Sequence, residues 1–241
     1  MQRDNMIISL VSEERRGFTV MNHRFAAIIV LFLCTLTALR AQELNPQGAS
    51  AEELLPQGWS HYEAEGDLNK DGLADLVLIA TPDFKDKMFT RDDGYVYNFN
   101  QPILAVYFRT PDGRLSLWRQ YPEMLPADES EYCHHNVSLT ITDKGTLVIE
   151  TQLECSMGGY TTGIDRYVYR YQNDDFYLIG KENEEIQRNS GDCTLVSDNY
   201  LVWKRCVKTS NFTEDTPPKE KWSVLKQKPL EKMGSCRLGE E

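Results

Sequence analysis

The feature that most constrains this chain is one short loop and the run that follows it. Residues 66–79 read Gly-Asp-Leu-Asn-Lys-Asp-Gly-Leu-Ala-Asp-Leu-Val-Leu-Ile. Oxygen-bearing side chains fall at Asp67, Asn69, Asp71 and Asp75, and Gly72 follows the third of them. Alternate residues of a tight loop can turn inward together, and calcium takes six to eight oxygens at about 2.3–2.6 Å. Gly72 tolerates the positive φ that a sharp turn needs. In that arrangement Leu73 offers its backbone carbonyl, and Asp75 closes the shell directly or through water. The plainer alternative is an Asx-rich turn that binds no metal. An EF-hand does not fit, because its twelfth position is a Glu followed by helix. Here that position is Leu78, inside the continuous apolar run Leu76–Ile79, which reads as a strand buried on both faces.

From that strand onward the pattern has a period of two. Ile103–Phe108 is a second apolar strand, and Pro111-Asp112-Gly113 turns it back into Leu115–Gln120. Val137–Thr142 and Thr146–Thr151 flank Asp143-Lys144-Gly145, and Tyr167–Tyr171 and Phe176–Ile179 flank Gln172–Asp175. Short alternating strands joined by Gly, Asn and Asp turns predict an all-β fold, an antiparallel meander that is partial-propeller-like or sandwich-like. One short N-terminal helix is expected through Leu55, where Ser50 and Glu53 have the spacing of a capping box. Residues 82–101 are charged and read as a loop or poorly ordered insertion. Residues 209–241 read as a polar extended or disordered tail, with at most one strand near Trp222–Leu225.

Hairpin counting makes two disulfides feasible. With Thr142 facing Thr146, an unbroken register puts Cys133 opposite Cys155, at a cross-strand separation that a disulfide can span. A two-residue turn at Asn199-Tyr200 would likewise set Cys193 opposite Cys206. Free, buried thiols are the alternative for each pair, and Cys236 is left over. None of the cysteines has the CxxC spacing of a zinc or redox site.

The stretch Gly66-Asp67-Leu68-Asn69-Lys70-Asp71-Gly72, with Asp75-Leu76-Val77, resembles the FG-GAP and VCBS-type repeats, the calcium loops of integrin-like β-propeller blades. The likeness covers about 15 residues and implies Ca²⁺ as the cofactor. Those families carry several copies and a propeller needs at least four blades, whereas this chain has a single such loop. The remainder looks like secreted bacterial proteins with one such loop ahead of a β-meander, a likeness that implies no activity.

The N-terminal end reads as a targeting segment. Met21-Asn22-His23-Arg24 precedes the apolar run Phe25–Leu39, and a basic start, a short apolar stretch and a small exit residue describe a secretory signal. Residues 1–41 are therefore assigned to a signal peptide with a true start expected at Met21, and residues 42–208 to the β-rich domain. The run is shorter than the roughly 20 residues of a membrane span, so no stable span is expected in the mature form. Export places the protein in the periplasm or outside the cell, where disulfides persist. The net charge of −11, with no basic stripe, argues against nucleic acid as a partner.

Other candidates are weaker. Cys133-His134-His135 begins a strand, on which adjacent histidines point to opposite faces; surface histidines are the expected reading. His61 lies near the loop in sequence, where a general base is the alternative to a plain surface histidine. The glycine-rich stretch Ser156–Gly163 contains a possible ligand loop at Gly158, Gly159 and Tyr160. Tyr167, Tyr169 and Tyr171 share one strand face, for a ligand or for the core. No GxSxG, no HExxH and no persuasive carboxylate pair is present, so no catalytic residue is named. The leading expectation is an exported, non-catalytic, calcium-stabilised β-domain for binding a protein or glycan, or for envelope structure. The alternative is a secreted or periplasmic hydrolase acting on glycan or peptide.

Overall fold

The apolar run that follows the loop dictates the centre of the architecture, because it has no polar face to leave in water. In the computed structural model, which describes residues 44–156 and 159–239, the chain enters through β1 (Gln47–Gly48) and helix α1 (Ala51–Leu54). It continues through β2 (Ser60–Gly66), β3 (Asp75–Thr81), the hairpin β4 (Met88–Thr90) and β5 (Val96–Asn98), then β6 (Ile103–Arg109) and β7 (Leu115–Tyr121). The first sheet has the order β1-β7-β6-β3-β2 with antiparallel pairs throughout. β3 and β6 are central and buried on both faces, as continuous hydrophobic strands must be.

The second sheet is an uninterrupted antiparallel meander of seven strands. These are β8 (Cys133–Ile141), β9 (Thr146–Cys155), β10 (Thr161–Gln172), β11 (Asp175–Gln187), β12 (Asp192–Asn199), β13 (Lys204–Asn211) and β14 (Lys219–Val224). Among the described residues the fold is all-β with one short α-helix. One face of each sheet contributes to a shared core: Val77, Ile79, Leu104 and Val106 from the first, and Leu139, Leu147, Ile149, Tyr167, Tyr169 and Phe176 from the second. The tyrosine face is therefore core, with Tyr167 and Tyr169 buried. On the opposite face of β10, Arg166 bridges Glu150 of β9 and Glu182 of β11.

Three segments differ from their expected character. Residues 82–101 carry the β4–β5 hairpin, because Phe89, Tyr95, Tyr97 and Phe99 pack ring against ring around the turn at Gly94. Beyond residue 209, β14 pairs with β13, and the strap after it crosses the core: Met233 N donates to Phe176 O, Leu238 N donates to Met124 O, and both side chains are buried. Met233 and Leu238 are two apolar anchors in a largely polar tail, and Lys232 adds an ion pair to Asp175. At α1, Ser50 occupies the cap position without a side-chain cap bond, and Glu53 reaches back one residue further, to Ala49 N. The proposed signal segment lies outside the described residues. Among those described, no helix is long and apolar enough to cross a membrane.

Candidate functional site

The loop between β2 and β3 is built by its own side chains. Asp67 accepts from Asp71 N (3.2 Å) and from Gly72 N (2.9 Å), Asn69 Oδ1 accepts from Asp71 N (3.0 Å), and Asp71 Oδ1 accepts from Leu73 N (2.8 Å). Asn69 Nδ2 also donates to Asp71 Oδ2 (3.0 Å). The oxygens of Asp67, Asn69 and Asp71 are thus gathered around one backbone segment. The chain closes this ring by passing through positive φ at Lys70 (64°) and Gly72 (87°).

Asp75 binds the same loop through its backbone amides. It is fully buried at the start of β3, and its Oδ2 accepts from Leu68 N (2.9 Å) and, at the limit, Asn69 N (3.4 Å), while Oδ1 accepts from Arg109 N (3.0 Å). Burial, the largest influence, pushes its carboxyl above the usual carboxylate range against the pull of those three amides. Asp75 is placed as a brace that ties the loop to β6. Among the described residues no three or more His, Cys, Asp or Glu side chains are grouped to hold a metal ion. The side chains that converge are Asp67, Asn69 and Asp71, with the Leu73 carbonyl next in the chain.

The loop rests on the turn between β8 and β9. A Cβ on Gly145 would lie 2.6 Å from the Asp67 carbonyl oxygen, so only glycine permits this approach, and its φ is +71°. Beside the contact runs an open groove of about 820 Å³, lined by Glu65, Lys70, Thr142, Lys144, Arg170 and Leu201 among others.

Cys133 and Cys155 are disulfide-bonded with Cα atoms 4.1 Å apart, at the register that the hairpin count predicts. The second expected bond is absent. The β12–β13 turn spans residues 200–203, with Asn199 opposite Lys204 and Trp203 at φ 54°. This longer turn shifts the register by four residues, so Cys193 faces Ser210 and Cys206 faces Ser197; both thiols are free. Cys236 is also free.

The paired histidines share a partner. Asp128 Oδ2 lies 3.3 Å from His134 Nδ1, and Asp128 Oδ1 lies 3.3 Å from His135 Nδ1 and accepts from His135 N. His134 stacks on Tyr97 at 5.5 Å, docking the β4–β5 hairpin onto β8. His61 lies 3.8 Å from Glu63 on β2. Of the possible ligand loop, Gly158 lies outside the described residues, Tyr160 is exposed, and its carbonyl accepts from Arg188 N. Gly159 precedes it at the entry to β10, where a cavity of about 240 Å³ begins.

Sequence reasoning passed over that cavity, which is lined by His135, Thr151, Thr161, Asp165 and Asn183 among others. The signal was available in the parity of β10. Asp165 is two residues from Tyr167 and so shares the tyrosine face, where a core needs an apolar residue. No family model matches the chain, and no curated protein or solved structure matches it either.

Proposed function

We propose that the protein is an exported, non-catalytic β-domain whose loop at residues 67–73 binds one Ca²⁺, and that the ion stiffens a scaffold used for binding or for envelope structure. The observation that carries this reading is the convergence of Asp67, Asn69 and Asp71 around a turn that uses positive φ at Lys70 and Gly72. Their side-chain oxygens and the Leu73 carbonyl would supply about four of the six to eight oxygens that calcium takes, with water completing the shell. Asp75 would act behind the site, fixing the amides of Leu68 and Asn69. The spacing also resembles that of the FG-GAP and VCBS-type loops, which supports a structural role for the ion.

Two carboxylates held in one short loop repel each other, and a divalent ion removes that cost. Extracellular calcium modules bind in the range of about 0.1–1 mM. A site of about 0.1 mM affinity in about 1 mM calcium adds about 1.4 kcal/mol, which is a rise in melting temperature of roughly 3–6 °C for a domain of this size. The test is thermal melting with calcium or EGTA for wild type and Asp71→Ala. The wild type should gain those degrees and the variant should gain none; an equal gain in both would remove the site from the loop.

A second reading, a hydrolase acting on glycan or peptide, draws on His135. Its Nδ1 lies 3.3 Å from Asp128 Oδ1 while the residue lines a cavity, an arrangement that suits a general base. Hydrolysis of a glycan or peptide library that is lost in His135→Gln would favour it.

A further inference from the structure

We propose that the cavity on the inner face of the seven-stranded sheet, spanning β8 to β11, is a binding site for a single neutral sugar residue. The register defines its floor. Leu139, Ile149 and Tyr167 form one cross-strand row and are all buried in the core. One step further along the same face the row becomes Val137, Thr151, Asp165 and Asn183. The next step brings His135 opposite Leu153, and Gly163, which has no side chain to fill the space. A face that is tyrosine and isoleucine in the core thus turns to hydroxyl, carboxylate and amide within two residues, and a partly open cavity of about 240 Å³ begins where the packing stops.

Two observations indicate that this space is built for a ligand. Thr151 is 3% exposed, and its Oγ1 has no hydrogen-bond partner among the described residues. A buried hydroxyl left without a partner is costly, so its retention at a wall of the cavity calls for a group that can complete it. The polar groups are also already oriented. Asp165 Oδ1 accepts from Asn183 Nδ2 (3.0 Å), and Asp128 Oδ1 sits 3.3 Å from His135 Nδ1, a contact that orients the imidazole. The disulfide Cys133–Cys155 pins β8 to β9 one pair beyond His134 and Glu154, close to the mouth.

The chemistry of the lining selects the occupant. Carboxylate, amide carbonyl, imidazole and the hydroxyls of Thr151 and Thr161 form a polar set rich in acceptors, with Leu153 as the one large apolar surface. Its complement is a small ring with many O–H donors and one apolar side, which is the character of a pyranose. The volume lies below the roughly 300–1,000 Å³ of clefts for drug-sized ligands, which limits the occupant to one ring. This site is separate from the loop at residues 67–73, and its test is run in both calcium and EGTA so that failure of one reading leaves the other standing.

The experiment is an NMR titration of the ¹⁵N-labelled protein with D-glucose, D-galactose, D-mannose and N-acetyl-D-glucosamine, each raised through the millimolar range. At least one sugar should give saturable shifts at the amides of Thr151, Thr161–Asp165 and Asn183, in either buffer. Asp165→Asn and Thr151→Val should each weaken that binding at least tenfold. Thr151→Val should also melt no lower than wild type without sugar, because it removes an unpartnered hydroxyl at nearly constant volume, and this separates lost binding from lost folding. No saturable shift with any of the four sugars, shifts that map elsewhere, or affinity unchanged in both variants would overturn the proposal.

Discussion

Asp75→Ala separates a brace from a ligand. The Asp75 carboxylate takes two well-formed amide bonds, from Leu68 N at 2.9 Å and Arg109 N at 3.0 Å, while Asn69 N at 3.4 Å adds little. Hydrogen bonds to a charged acceptor contribute about 1.5–3 kcal/mol each. The carboxylate is wholly buried and its pKa is raised, so part of that gain offsets its own desolvation. Removing it leaves two amides at the root of β3 without an acceptor, for a net loss of about 3–4 kcal/mol. That is a large share of a domain stability of about 5–15 kcal/mol. Urea unfolding followed by tryptophan fluorescence, in EGTA and in calcium, measures it. A brace loses the same amount in both buffers. A loss below about 1 kcal/mol, or one confined to calcium, would refute the assignment and return Asp75 to the ion. Asp75→Asn should fall between wild type and alanine, since its amide group would face the Arg109 donor.

Further outcomes follow from other contacts. Gly145→Ala places a Cβ 2.6 Å from the Asp67 carbonyl oxygen at φ +71° and should cost about 1–3 kcal/mol while shrinking the calcium-dependent melting shift; in Gly72→Ala the added Cβ meets no atom within 4 Å and the change should cost only its φ strain. Calorimetric melts of the two variants check this ordering. Cys133→Ser should expose one new thiol in a denatured titration, that of Cys155, and lower stability by about 3 kcal/mol through loop entropy. Burial pushes the Asp175 carboxyl upward, but Lys232, the Phe176 amide and Arg119 outweigh it and hold its pKa below the usual range. Such a group contributes stability that is present above its unfolded pKa of about 3.9 and is lost as pH falls through the lower folded value. Lys232→Ala should therefore lower stability at neutral pH and flatten the acid limb of the stability–pH curve; an unchanged limb would contradict this.

Much of the architecture was legible because period and turn chemistry agreed. The apolar run Leu76–Ile79 could only be a central strand, and Asp143-Lys144-Gly145 fixed a register that carried through to Cys133 and Cys155. Where the turn length was open, the same reasoning failed: a four-residue turn after Asn199 moved Cys193 and Cys206 apart. Tertiary contacts decided the rest. Nothing local shows that the rings of residues 89–99 would stack on one another and on His134, or that Met233 and Leu238 would seat a charged tail in the core. At the loop, the spacing of Asp67, Asn69 and Asp71 pointed to a tight turn, while the bond from the Arg109 amide to Asp75 could not be read locally because its donor lies 34 residues away. The cavity went unread because a lone Asp on an aromatic strand face looks like an interruption until Thr151 and Asn183 are set beside it.

The most direct measurement is isothermal titration of calcium into the metal-free protein beside the variant Asp67→Ala/Asp71→Ala. A calcium loop predicts about one equivalent of saturable heat with Kd between about 0.1 and 1 mM, and none from the variant. A flat wild-type titration, with melting unmoved by EGTA, would contradict it and leave residues 67–73 as a turn stitched by its own side chains.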